Sequence, residues 1–178
     1  MPRPQPLIRS ARGSIVLPIL AAPTWSAELE PLVGGIRYRA KTELHITLLS
    51  RVQIEALAEA GLDARELDRW LARFRFRFRW TRRLWLIERG SEAGKERSIV
   101  QLIRQPDQSR LRRALKRASG VNLGEPVPHV TLYTAGCPEG IGIPNREAFR
   151  RLRTAALSLA ALTDPTHPAR KRCPRRAR

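Results

Sequence analysis

The chain has 178 residues, 42% of them hydrophobic and 28% charged, which is enough apolar material for one folded core and excludes wholesale disorder. Its 34 basic residues outnumber 16 acidic ones for a net charge of +18, and a surplus of that sign points to an anionic partner, RNA or DNA first. Two cysteines, Cys137 and Cys173, rule out a disulfide framework and sit in no metal-ligand spacing, and no apolar run approaches the roughly 20 residues of a membrane span. The expectation is a cytoplasmic monomer that engages no membrane. Only Lys41, Lys95, Lys116 and Lys171 are lysine, so 30 of the 34 cations are arginine, whose planar fork suits phosphate geometry.

Residues 1–13 contain Pro and Arg without periodicity and read as a flexible start. Arg3, Arg9 and Arg12 ahead of the apolar 15–22 resemble a weak signal peptide, but Pro18 interrupts it, and a buried strand over 14–20 (SIVLPIL) explains the same residues. A short segment bounded by Pro and Gly follows, then extended stretches over 36–40 and 44–49. Helices are expected over 52–60, ended by Gly61, and over 64–73. Asp63 and Glu66 form a capping-box-like pair at the start of the second. Leu67, Trp70, Leu71 and Phe74 recur at i, i+3, i+4 and i+7, one buried helical face.

The period then changes from 3.6 to 2. Residues 73–80 (RFRFRFRW) alternate strictly, which on a strand puts Phe74, Phe76, Phe78 and Trp80 on one side and Arg73, Arg75, Arg77 and Arg79 on the other. Residues 84–88 (LWLIE) and 98–103 (SIVQLI) read as a hairpin across the polar turn 90–96. Pro106 opens a helix running to about Ala118 and stopped by Gly120, with Leu111, Ala114, Leu115 and Ala118 apolar and Arg110, Arg112, Arg113, Lys116 and Arg117 forming a basic outer face. A strand over 127–134, an Asn-capped helix over 145–152 and a final strand over 155–162 complete a folded region of 14–162. Residues 163–178 form a basic, Pro-punctuated tail expected to be flexible. This order, without a glycine-rich phosphate loop or regular βαβ alternation, gives an α+β class with mainly antiparallel sheets.

Two of the three histidines occupy matching frames, Leu44-His45-Ile46-Thr47-Leu48 and Pro128-His129-Val130-Thr131-Leu132. On a strand, His45 and Thr47 share one face while Leu44, Ile46 and Leu48 share the other, and the same alternation sets His129, Thr131 and Tyr133 against Val130 and Leu132. A lone H-x-T on a half-buried strand is ordinary packing; the doubling is what points to chemistry. Paired imidazoles can remove one proton and deliver another near neutral pH. Paired hydroxyls can donate to the non-bridging oxygens of a phosphodiester. That chemistry requires no metal and no cofactor. His167, in the tail, reads as a bystander.

The two H-x-T frames, about eighty residues apart, with a leading strand before the first and a helix-strand unit before the second, resemble the 2H phosphoesterase superfamily, in particular its bacterial RNA 2',3'-cyclic phosphodiesterase (2'-5' RNA ligase) branch. Residues 83–86 (RLWL) and the 111–118 helix followed by PHVTL add to the likeness, which covers roughly 14–162. The resemblance implies a bilobal, pseudo-twofold fold, two mainly antiparallel sheets flanking a central cleft with helices outside. It implies hydrolysis of a 2',3'-cyclic phosphate to a 2'-phosphate on RNA or a nucleotide, without metal. Carried over, His45 is the acid toward the leaving 3'-oxygen, His129 the base that activates water, and Thr47 and Thr131 the phosphate holders. The chain departs from the family at Leu49-Ser50-Arg51, where an aromatic and a glycine are usual, and in its arginine-rich 73–80 stretch.

Beyond the motifs, Tyr133 is a candidate for stacking on a base, and Arg75, Arg77 and Arg79 for lining the cleft. The four tryptophans, Trp25, Trp70, Trp80 and Trp85, read as core. The competing functional readings are another 2H activity (2'-5' phosphodiesterase, 3'-end exonuclease or cyclic phosphodiesterase on an ADP-ribose product), a non-catalytic RNA- or nucleotide-binding module, and a basic packaging protein.

Overall fold

A computed structural model describes residues 7–91, 94–163 and 170–171 of the chain, which form an α+β structure of antiparallel sheets and short helices. A three-stranded sheet joins β1 (Ile8–Arg9), β2 (Ile15–Ile19) and β6 (Leu44–Leu49) in that order. A six-stranded sheet runs β11-β10-β7-β8-β9-β5. Its strands are β5 (Arg39–Ala40), β7 (Arg79–Ser91), β8 (Gly94–Arg104), β9 (His129–Ala135), β10 (Arg153–Leu157) and β11 (Arg170–Lys171). A small hairpin pairs β3 (Leu32–Val33) with β4 (Ile36–Arg37).

Alternation along the strands divides the interior in two. Leu84 and Leu86 of β7, Ile99 and Ile103 of β8, and Val130 of β9 face a principal core. So do Leu44, Ile46 and Leu48 of β6 and the buried apolar positions of α1 (Arg51–Glu59), α2 (Ala64–Ala72) and α3 (Pro106–Ser119). On the opposite face, Ile87 and Val100 meet Phe149 and Leu152 of α4 (Arg146–Leu152) and Ile141 and Ile143 of the preceding loop. Burying side chains of this size contributes about 1.5–3 kcal/mol each, so the paired cores are what hold the layers together. The tryptophans pack at the margins of these cores, half-buried rather than enclosed.

Helix boundaries follow their caps. Asp63 accepts from the Glu66 amide at 2.7 Å, Asn145 from the Ala148 amide at 2.9 Å, and Gly120 ends α3 with φ +76°, as the cap residues predict. At α1 the capping box belongs to Ser50 and Gln53, which bond each other's backbone amides. The departure at Leu49-Ser50-Arg51 is thus a helix start.

Three expectations need correction. Residues 74–78 are not a strand: Phe76 takes φ +46°, which breaks the extended run, and β7 begins only at Arg79. The in-out alternation survives all the same, with Phe76 buried and Arg75, Arg77 and Arg79 exposed. The expected final strand over 155–162 splits into β10, which starts at Arg153, and the one-turn helix α5 (Ala160–Thr163). Arg112, assigned to the outer face of α3, is only 6% exposed, whereas Ala118 is exposed. Within the terminal stretches, Ile8–Arg9 pair with β2 and Arg170–Lys171 with β10. His167, Cys173 and most of the tail lie outside the described residues. No helix among those residues is long and apolar enough to cross a membrane.

Candidate active site

The two H-x-T strands lie beside each other. β9 is paired along one edge with β8; along the other it meets β5, whose ladder continues with the Lys41 amide donating to the Leu132 carbonyl at 2.9 Å before the chain turns into β6. Leu44, Ile46 and Leu48 of β6 and Val130 and Leu132 of β9 point into the same principal core. His45 and Thr47, like His129 and Thr131, therefore stand on the faces turned away from that core. All four are half-buried. Each strand also has one antiparallel partner behind its motif: Pro18 and Val16 of β2 opposite His45 and Thr47, and Leu102 and Val100 of β8 opposite His129 and Thr131.

Interactions from elsewhere fix these strands. Gln108 of α3, buried, donates through Nε2 to the carbonyls of Thr47 at 2.9 Å and Leu48 at 3.0 Å. Gly140, at φ +82°, crosses over Thr131 so closely that a Cβ there would sit 3.0 Å from the threonine methyl, and the Ile141 amide donates to Ser98 Oγ at 3.0 Å. Neither threonine hydroxyl hydrogen-bonds to protein among the described residues, so both remain free to donate to a ligand.

The two imidazoles have different surroundings. His129 Nδ1 lies 2.7 Å from the Val127 carbonyl. Because a carbonyl can only accept, Nδ1 carries the proton, and Nε2 is left with its lone pair. Burial lowers the His129 pKa to about 4, the Val127 bond opposes that, and the charge of His45 adds to the lowering. The pKa of His45 is lowered from 6.5 first by burial and then by the nearby Lys41 ammonium, and Glu43 pulls it back up. At neutral pH His129 is uncharged.

No family model, curated protein or solved structure matches this chain.

Tyr133 does not join the group. Val100 pairs with Thr131 but Ile99 with Tyr133, so Leu132 is an extra residue, a β-bulge that reverses the facing of everything beyond it. Tyr133 consequently enters the principal core, fully buried, and its hydroxyl accepts from the Ser26 amide at 3.0 Å. A ring without accessible surface offers no face to a base, which corrects the stacking expectation. Arg75, Arg77 and Arg79 are exposed and form no ion pair among the described residues, and neither histidine's titration is shifted by them.

Sequence reasoning missed Lys41. Its ammonium is close enough to His45 to lower that pKa, and it bonds the Pro138 carbonyl at 3.0 Å. One of four lysines in an arginine-rich chain, four residues before a motif histidine, was the only signal pointing to it. Among the described residues, no three His, Cys, Asp or Glu side chains gather in a metal-binding group.

Proposed function

We propose that this protein is a metal-independent phosphodiesterase of the 2H type that opens a 2',3'-cyclic phosphate on an RNA end or nucleotide to a 2'-phosphate. The reading is supported chiefly by one observation: two H-x-T strands lie side by side, with the His129 tautomer fixed by the Val127 carbonyl. The similar placing of β6 on β2 and β9 on β8 accords with a pseudo-twofold arrangement around a cleft.

In the proposed step, Nε2 of His129 takes a proton from water as the water oxygen forms its bond to phosphorus. The bond from phosphorus to the 3'-oxygen breaks, and protonated His45 donates to that oxygen, leaving a free 3'-hydroxyl and a 2'-phosphate. Thr47 and Thr131 donate to the non-bridging oxygens, where charge accumulates, and the Lys41 ammonium adds a fixed positive potential beside His45. The anionic substrate itself raises the pKa of His45 on binding and so favours the protonated acid.

Incubation with 2',3'-cyclic mononucleotides and cyclic-phosphate-ended oligonucleotides tests this directly. The 2'-phosphate is the expected product. A 3'-phosphate product, or cleavage only of 2'-5' linkages, 3' ends or an ADP-ribose cyclic phosphate, transfers the site to another chemistry; binding without product makes it a binding module.

A further inference from the structure

Away from the histidine pair, one face of α3 is unusual. Ser109, Arg112, Arg113 and Lys116 follow i, i+3, i+4, i+7 spacing and so line up along a single stripe. Together with 122–126 they enclose a groove of about 390 Å³, within the range of small-ligand sites. The floor of the groove is a buried cation. Arg112 is 6% exposed, and its Nη1 donates to the carbonyls of Leu123 and Pro144, each at 2.9 Å, and of Gly124 at 3.3 Å. Its Nε has no partner, and no carboxylate pairs with it among the described residues.

Burial lowers the Arg112 pKa to about 10, so the guanidinium still carries its charge at neutral pH, with only carbonyls beside it. Pinning loops together accounts for Nη1, but not for the unpaired Nε or for two further cations on the same stripe. Arg113 and Lys116 are exposed and have no ion-pair partner among the described residues. Glu125, the carboxylate in the lining, is engaged by Arg146 at 2.8 Å. The groove is therefore positive and lacks a counter-ion of its own.

We propose that this groove is a phosphate-binding subsite, with Arg112 as its buried base, Arg113 and Lys116 as its outer arms and Ser109 as a further donor. It takes a phosphate mono- or diester, carried by a free nucleotide or by the backbone of an RNA strand. The wall at 122–126 runs directly into Val127, so an occupant sits next to the segment that fixes His129, on a surface separate from the imidazoles.

The test uses the full chain and an Arg113→Ala/Lys116→Ala variant, which leaves the loop-pinning Arg112 in place. Each is titrated with inorganic phosphate and, separately, with a 2'-O-methyl oligoribonucleotide that the proposed chemistry cannot open. The amide signals of 122–125 report occupancy. Those signals should shift in the parent, and the variant should bind at least about tenfold more weakly, since each charge-assisted phosphate hydrogen bond typically accounts for that much. Saturation by phosphate alone identifies a small phosphate ester as the occupant. Tighter saturation by the oligonucleotide identifies the strand backbone. Unshifted signals in both titrations, or equal binding by parent and variant, overturn the proposal. A His45→Ala/His129→Ala variant should bind as the parent does, so a failure of the groove and a failure of the catalytic reading can be told apart.

Discussion

Strands β6 and β9 carry the same three-residue pattern in different surroundings. On β9 a backbone carbonyl holds the His129 ring by Nδ1, and burial keeps it neutral down to about pH 4. On β6 no ring hydrogen bond holds His45 among the described residues; its pKa is set by burial and by the opposed charges of Lys41 and Glu43. The difference teaches that a motif supplies the group while its surroundings assign the role. A fixed tautomer with a free Nε2 suits a base, and a less confined imidazole between charges suits a group that must gain a proton when an anion arrives.

The largest break in this comparison comes from removing either ring. His45→Ala and His129→Ala should each lower turnover of a cyclic mononucleotide by at least about a hundredfold, the usual contribution of a positioned acid or base. Each should leave far-ultraviolet circular dichroism unchanged. A folded variant with near-parental turnover would remove its histidine from the mechanism.

The asymmetry should also appear in stability. The folded pKa of His129, about 4, lies below its unfolded value of 6.5, so below pH 6.5 the unfolded chain binds a proton that the native protein refuses. Stability from this residue is complete above 6.5 and is lost as pH falls toward 4, by at most about 3 kcal/mol. Chemical denaturation of the parent and of His129→Asn between these pH values checks it: the variant's stability should depend less on pH.

Gln108 sharpens the comparison from the β6 side. Gln108→Leu strips the half-buried Thr47 carbonyl and the buried Leu48 carbonyl of this donor and should cost about 1–3 kcal/mol in denaturant midpoint analysis, with a smaller loss of turnover than either histidine variant. The smallest effect on chemistry is expected from Arg75→Gln/Arg77→Gln/Arg79→Gln. Turnover of a mononucleotide should stay within about twofold, while the salt dependence of single-stranded RNA binding becomes shallower, by up to about 0.7 for each phosphate that is no longer neutralised. An unchanged salt slope would exclude these arginines from RNA binding.

Much of this arrangement was legible in the chain. Period-2 alternation placed His45 with Thr47 and His129 with Thr131, because side-chain facing on a strand is local. The caps at Asp63, Asn145 and Gly120 were legible for the same reason. What was not legible depends on pairing between distant segments. The bulge at Leu132 is defined only against β8, and it alone sends Tyr133 to the opposite face. The burial of Arg112 depends on carbonyls at Leu123, Gly124 and Pro144 arriving over its side chain. The proximity of Lys41 to His45 arises where β5 leaves β9. Phe76 broke a perfect alternation through its backbone, which no hydrophobic pattern records.

The central claim is that His129 acts unprotonated and His45 protonated, and the pH dependence of kcat/KM for a 2',3'-cyclic mononucleotide tests it most directly. That parameter reports the free enzyme. It should rise as His129 loses its proton near pH 4 and fall as His45 loses its own below 6.5, giving a bell with its maximum on the acid side of neutrality and 2'-phosphate as product throughout. A profile that climbs through pH 8, or no turnover at any pH, would contradict the account.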